Sequence, residues 1–118
     1  GARSQLWVTS DSVFFVNADN QLMRLNASNG KPVWAVDLPK YVSNKPRRRK
    51  ELWTHHGPIL AGGRLLIASN DGWLRSYDPM SGALVAQTEI PDGATTNPIV
   101  VDKTLYVVSK EGQLHAFR

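Results

Sequence analysis

The chain has no cysteine among its 118 residues. Without cysteine it can form no disulfide framework, no thiolate metal site and no cysteine nucleophile. It also has no apolar run near the roughly 18 residues that suggest a membrane-spanning helix, and its opening GARSQLWV lacks the basic-then-apolar order of a signal peptide. With 42% hydrophobic and 20% charged residues, the composition is that of an ordinary globular domain, so the chain is expected to fold.

Positive charge is concentrated in one short segment. The net charge is +4, and five positive residues fall within six positions: Lys45, Arg47, Arg48, Arg49 and Lys50. Without those five charges the net charge would be −1, so the positive charge belongs to this segment and not to the rest of the chain. A run of this kind is either a solvated loop or a docking patch for phosphate, nucleic acid or an acidic protein surface. We take these five residues, with the nearby Trp53, as candidates for partner binding. No aromatic residue is interleaved with them, which disfavours nucleic acid as the partner.

One pattern recurs three times along the chain. Anchored on Leu22, Leu74 and Leu114, each copy has an acidic residue followed by Asn or Gly two positions before the leucine, at Asn20, Gly72 and Gly112. Apolar blocks precede these turns at 13–16, 65–68 and 105–108, and a second turn follows at 26–30 and 78–82. The copies are spaced by 52 and then 40 residues, so twelve extra residues, among which the basic segment lies, separate the first two copies.

Each copy reads as consecutive antiparallel strands. The apolar blocks are short, rich in β-branched and aromatic residues, and bounded by turn residues. The turn positions carry Gly or Asn, which accept positive φ, and Asp78 begins a turn in which Gly82, like Gly30, closes the loop. Leu74 and Tyr77 lie three apart in one predicted strand and so point to opposite faces, both of which must be covered. No helical period is visible.

The predicted fold is all-β, with consecutive four-stranded antiparallel blades that form part of a β-propeller. We place a first blade at 5–39, the basic insert at 40–52, a second blade at 53–91 and an incomplete third blade at 94–118, all within one unit of 1–118. At least eleven strands are expected. A ring closes with roughly four to eight blades, so the chain is interpreted as the carboxy-terminal arc of a longer protein.

The residues resemble the pyrroloquinoline-quinone-like (PQQ-like) repeat family, whose blades carry a Gly-x-Leu strand, an Asp-x-x-Thr-Gly turn and a Trp four residues after that Gly. The first copy has Asn26, Asn29, Gly30 and Trp34 at these positions. The second has Asp78, Ser81 and Gly82, but Ala86 replaces the tryptophan. The resemblance implies that Trp34 packs between blades and that the second blade lacks this docking contact.

Within that family, the order of features is similar to the propeller lipoproteins of the outer-membrane β-barrel assembly machinery of Gram-negative bacteria. The features are Ala61–Leu65, Ser81–Val85, the basic insert and the terminal strands from Thr104 to Arg118. The resemblance implies a non-catalytic scaffold on the periplasmic side of the outer membrane, tethered by a lipid anchor outside these residues. Its implied partners are other outer-membrane assembly proteins and nascent outer-membrane proteins, with no nucleic acid and no cofactor.

Two alternatives remain open: a fragment of a PQQ-dependent quinoprotein dehydrogenase, and a ligand-sensing propeller domain. A quinone site needs convergent oxygen ligands for Ca²⁺ and groups that clamp the cofactor. The acids Asp19, Asp71, Asp78 and Glu111 instead fall at turn positions, where a structural role is expected. Adjacent His55 and His56 point to opposite sides of a strand and cannot easily share a metal ion. No catalytic, cofactor-binding or metal-binding residue is therefore assigned.

The arc should leave apolar surface and strand edges uncovered. We expect the 118-residue chain to self-associate, either by stacking of blade faces or by strand addition at 113–117.

Overall fold

The computed structural model describes residues 5–39, 53–91 and 93–117. Within these residues the chain forms eleven strands in three antiparallel sheets and no helix. The first sheet has the order β1-β2-β3-β4, the second β5-β6-β7-β8 and the third β11-β10-β9. Their bounds are β1 Trp7–Val8, β2 Ser12–Val16, β3 Gln21–Asn26, β4 Pro32–Asp37, β5 His55–Ala61, β6 Arg64–Ser69, β7 Trp73–Tyr77, β8 Leu84–Glu89, β9 Ile99–Val101, β10 Thr104–Val108 and β11 Leu114–Phe117. The predicted all-β fold of successive antiparallel blades is confirmed.

The tight turns in each sheet have the backbone geometry that their residues allow. Asn20 has a φ of 55°, and the repeat-equivalent Gly72 and Gly112 have φ of 100° and 80°. Positive φ is costly for most side chains but open to glycine and tolerated by asparagine. The β2–β3, β6–β7 and β10–β11 hairpins therefore close at equivalent points, which keeps the three copies in the same register.

Two apolar cores hold the sheets together. The first joins the first two sheets and contains Phe14, Val16 and Leu22 with Leu65, Ile67 and Tyr77. The second joins the second and third sheets and contains Ile59, Ala68 and Leu74 with Leu105 and Val107. Leu74 and Tyr77 thus lie in different cores, as their spacing predicted. Each fully buried aliphatic or aromatic side chain contributes about 1.5–3 kcal/mol of stability, so this two-sided burial is the main force that stacks the sheets.

Trp34 links the first sheet to the β7–β8 turn of the second. Its indole Nε1 donates to the Pro79 carbonyl at 2.9 Å, and its ring lies over Gly82, where an added Cβ would be 2.7 Å from the ring. The Arg24 guanidinium donates to the same carbonyl at 3.1 Å and lies 5.8 Å from the centre of the Phe14 ring. Because Phe14, Arg24 and Trp34 are cross-strand neighbours, they form one row that fills this side of the interface.

The equivalent row of the second sheet is built from smaller residues. There Leu66, Ser76 and Ala86 are the cross-strand neighbours, so Ser76 and Ala86 stand where the first sheet has Arg24 and Trp34. A cleft of about 990 Å³ lies between the second and third sheets, and Leu66 and Ser76 line it. The two interfaces between sheets therefore use equivalent residue positions, but large side chains fill the first interface and smaller ones leave a cleft at the second.

No helix long and apolar enough to cross a membrane occurs in the part of the chain that the structure describes.

Candidate protein-interaction face

One end of the stacked sheets carries the partner-binding candidate Trp53 and the turn residues Asn20, Gly72 and Gly112. Since the strands alternate in direction, the turns at 17–20, 70–72 and 109–113 lie at the same end as the connections from β4 to β5 and from β8 to β9. We call this end the insert face, because the chain leaves it at Pro39 and returns to it at Trp53. The candidates Lys45, Arg47, Arg48, Arg49 and Lys50 lie outside the described residues.

Both described ends of the insert are held by side chains of the sheets. At Pro39, the carbonyl lies 2.6 Å from His55 Nε2. At Trp53, the carbonyl accepts a hydrogen bond of 3.3 Å from the Asn20 side-chain amide. The backbone beyond Trp53 is held further, because Thr54 N donates to Asn70 Oδ1 at 2.8 Å and Asn70 N donates to the Thr54 carbonyl at 3.0 Å. The sheets thus fix the points from which the basic segment departs.

The hydrogen bonds of His55 define its tautomer. A carbonyl can only accept, so Nε2 carries the proton and donates to Pro39, while Nδ1 accepts from the Ser69 hydroxyl at 2.6 Å. Burial lowers the pKa of His55 below its ordinary value of 6.5, against weaker opposing effects of the Pro39 carbonyl and Asp71. Burial also lowers the pKa of His56. His55 therefore serves as a neutral link between the second sheet and the start of the insert.

A buried ion pair stiffens the β6–β7 turn. Arg75 makes two contacts to the Asp71 carboxylate, at 3.2 and 2.6 Å, and both side chains are less than 10% exposed. Asp71 also accepts from the Trp73 backbone N–H at 3.3 Å. This bidentate pair sets the turn from which Trp73 projects. The sequence marked Asp71 as a turn residue but did not identify Arg75 as its partner.

A cleft of about 580 Å³ opens on the insert face between the second and third sheets. Trp53 and Trp73 line it together with charged side chains of both sheets, Glu89, Lys110 and Glu111. The floor of the cleft is tightly packed, since a Cβ added to Gly93 would lie 2.5 Å from the Asn70 carbonyl oxygen. The face therefore combines two partly exposed indoles and charges of both signs around fixed turns.

The remaining sequence-marked residues lie at turns. Asn20, Gly72 and Gly112 are on the insert face, and Asp71 and Glu111 line its cleft. At the opposite end of the sheets, Gly30 and Gly82 close the β3–β4 and β7–β8 turns with φ of 72° and 79°. Asp78 accepts from the backbone N–H of Met80 at 2.9 Å in the second of these turns. Among the described residues, no three His, Asp or Glu side chains are grouped so that they could hold a metal ion.

These features define a class of protein: stacked four-stranded antiparallel blades with PQQ-like turns and a tryptophan docked on the next blade form an arc of a β-propeller. A family model described as outer membrane protein assembly factor BamB matches residues 1–85 and 42–118. The chain belongs to this family.

Similar curated proteins carry the same description. The outer membrane protein assembly factor BamB of Legionella pneumophila is 27% identical over 108 residues, covering 92% of this chain and 25% of that protein. The factor of the same name from Escherichia coli is 27% identical over 119 residues, covering 98% of this chain and 27% of that protein. The chain thus spans about a quarter of the length of these relatives.

Solved structures share the fold. The crystal structure of BamB from Moraxella catarrhalis matches with a TM-score of 0.70 and 20% identity, covering 98% of this chain and 34% of that one. The WD40 β-propeller domain of Doa1 matches with a TM-score of 0.70 and 12% identity, over 97% of this chain and 36% of that one. The predicted relation to PQQ-like propellers of outer-membrane assembly is confirmed by the family match.

Proposed function

We propose that this chain is part of a non-catalytic protein-interaction scaffold that assists the assembly and insertion of β-barrel proteins at the periplasmic side of the outer membrane. The observation that carries this proposal is the family match, whose two segments together cover residues 1–118. The proposed partners are other outer-membrane assembly proteins and nascent outer-membrane proteins. Tethering by a lipid anchor outside these residues belongs to the same proposal.

The insert face is the proposed docking surface. Trp53 and Trp73 supply large apolar groups of the kind that dominate binding energy at protein interfaces. The basic segment, Lys45 to Lys50, supplies positive charge that speeds encounter with an acidic partner surface and fixes its orientation. The hydrogen bonds at Pro39 and Trp53 hold the two described residues that flank the insert. Aromatic anchors and steering charge then act on the same partner.

Binding to purified components of the barrel assembly machinery tests the docking surface. We expect the triple variant Arg47→Ser, Arg48→Ser, Arg49→Ser to weaken binding about 10-fold at low salt and to flatten its salt dependence, because exposed charges are screened by salt. Trp53→Ala should weaken binding at both low and high salt. Circular dichroism should show the folded spectrum for both variants.

A charge-matched control is available at the opposite end of the sheets. Lys31, Arg64 and Lys103 are exposed there, in the β3–β4 turn, at the start of β6 and in the β9–β10 turn. Changing all three to Ser removes the same charge and should leave binding within about twofold of wild type. If this control loses as much affinity as the Arg47–Arg49 variant, only net charge matters and the insert face is not the docking surface.

Titration with pyrroloquinoline quinone and Ca²⁺ tests the enzyme alternative. We expect neither stoichiometric binding nor alcohol oxidation. Saturable binding of one quinone per chain would favour the dehydrogenase fragment over the scaffold.

A further inference from the structure

One carboxylate of the insert face lacks the hydrogen-bond donor that its repeat equivalent has. In the first sheet, Gln21 at the start of β3 lies opposite Asp37 at the end of β4, and the Gln21 side-chain amide donates to the Asp37 carboxylate at 3.1 Å. Fifty-two residues further along, Trp73 lies opposite Glu89 in the same way. The second sheet therefore keeps the acid of this cross-strand pair but has an indole where the first sheet has an amide donor.

The Glu89 carboxylate is available to a donor from outside the chain. Among the described residues, neither Glu89 nor Glu111, the other exposed carboxylate that lines the insert-face cleft, takes part in an ion pair. The third lining carboxylate, Asp71, is already held by Arg75 through contacts of 2.6 and 3.2 Å. Two of the three carboxylates around this cleft are thus unpaired.

The chemistry beside these carboxylates favours a planar cation. Trp53 and Trp73 line the same cleft and are both half-buried. Indole is the side-chain ring that attracts a cation most strongly to its face. A guanidinium group is planar, stacks on such a ring and can donate N–H groups to a carboxylate at the same time. Lys110 supplies one positive charge to the lining, against two negative charges from Glu89 and Glu111, so a cation is favoured over an anion.

We propose that the insert-face cleft binds the guanidinium of an arginine side chain presented by the partner protein. The guanidinium stacks on the Trp73 indole and donates to the Glu89 carboxylate, and so supplies the donor that Gln21 supplies to Asp37 in the first sheet. This inference rests on the proposed docking surface and names the side chain that the cleft receives. The partner expected for the insert face then offers acidic groups to the basic segment and an arginine to the cleft.

Titration of the isotope-labelled chain with N-acetyl-L-arginine amide tests this proposal by nuclear magnetic resonance. We expect the indole N–H signals of Trp53 and Trp73 to shift saturably, with a dissociation constant on the order of 10 mM, because an exposed cation–π contact and an exposed ion pair are each weak in water. N-acetyl-L-citrulline amide, a neutral analogue of nearly the same shape, should cause no saturable shift. Glu89→Gln should weaken arginine-amide binding about fivefold, and Lys110→Gln should strengthen it about twofold.

The first sheet supplies two further variants. Trp73→Gln places beside Glu89 the amide donor that Gln21 provides to Asp37, so arginine-amide binding should be lost, with Trp53 as the reporting signal. Asp37→Asn is the matched control, because it removes one negative charge from the same face at a carboxylate that already has its donor. This control should bind arginine amide as wild type does. Circular dichroism should show the folded spectrum for both variants.

Several outcomes would overturn the proposal. These are no indole shift at probe concentrations well above the expected constant, equal binding of the citrulline amide, and weaker binding by Lys110→Gln. Equal losses in Glu89→Gln and Asp37→Asn would also overturn it, because only the net charge of the face would then matter. The probe is independent of the assembly machinery. If arginine amide binds as expected but the assembly components do not, the cleft keeps its assignment and the proposed function fails by itself.

Discussion

At the residue scale, equivalent positions of the repeat have different neighbours. Gly30 and Gly82 both close the turn between the third and fourth strands of a sheet, with φ of 72° and 79°. A Cβ on Gly30 would meet nothing within 4 Å, whereas a Cβ on Gly82 would lie 2.7 Å from the Trp34 ring. Glycine is needed at the first position for its backbone alone and at the second also for space.

The two glycines provide a matched pair of variants. Gly30→Ala should lower the free energy of unfolding by about 1 kcal/mol, because alanine is strained at positive φ. Gly82→Ala carries the same strain and also forces the Trp34 ring away, so we expect a further loss of about 1–3 kcal/mol. Urea denaturation measures both. Equal losses in the two variants would show that the tryptophan contact adds nothing.

A single residue, His55, should make the stability of the folded protein depend on pH. Burial lowers its pKa in the folded protein below 6.5, so between that folded pKa and 6.5 the unfolded chain binds more protons than the folded one. The free energy of unfolding should therefore fall as the pH is lowered through 6.5, and the loss should stop below the folded pKa. Protonation would also place a proton on Nδ1, which now accepts from Ser69.

Denaturation at a series of pH values checks this expectation. His55→Gln should be less stable than wild type at neutral pH and should lose less stability on acidification. His56, whose pKa is also lowered by burial, would supply the remaining dependence. A wild-type stability that does not change between pH 7 and pH 5, roughly the range over which an ordinary histidine titrates, would contradict the assignment.

At the element scale, the β6–β7 hairpin depends on the pairing of Asp71 with Arg75. Both side chains are buried, so removal of one leaves the other charged and unpaired in a poorly solvated site. We expect Arg75→Met to lower the free energy of unfolding by about 3–5 kcal/mol. Because the Asp71–Arg75 pair lies beside Trp73, the same variant should also change the fluorescence of that indole.

A double-mutant cycle separates this pairing from the loss of each side chain. Asp71→Asn combined with Arg75→Met should destabilise the chain by less than the sum of the two single changes, because each single variant buries an unpaired charge and the double variant does not. Thermal denaturation of the four proteins gives the coupling. Additive effects would mean that the two charges do not interact in the folded chain.

At the scale of the whole molecule, equivalent faces of successive sheets pack against each other, but the side chains fill the two interfaces to different extents. Phe14, Arg24 and Trp34 fill the interface between the first and second sheets. Ser76 and Ala86 replace Arg24 and Trp34 in the next row, beside the cleft of about 990 Å³.

The sequence by itself determined the strands, their order and the turns between them. These follow from local chemistry: short apolar blocks favour strands, and Gly or Asn at 20, 72 and 112 permits positive φ. The repeat then indicated stacked sheets, since Leu74 and Tyr77 need cover on both faces. The family resemblance supplied the expectation that Trp34 lies between blades.

Only the tertiary structure decided which side chains meet across longer separations. Asn20 contacts the Trp53 carbonyl 33 positions away, and Trp34 contacts the Pro79 carbonyl 45 positions away. Repeat copies with the same local pattern also differ in burial, as Leu74 at 6% and Leu114 at 65% exposure show. Burial and pairing depend on what the neighbouring sheet presents, and that neighbour is placed by the stacking of whole elements and not by the residues next to it in the chain.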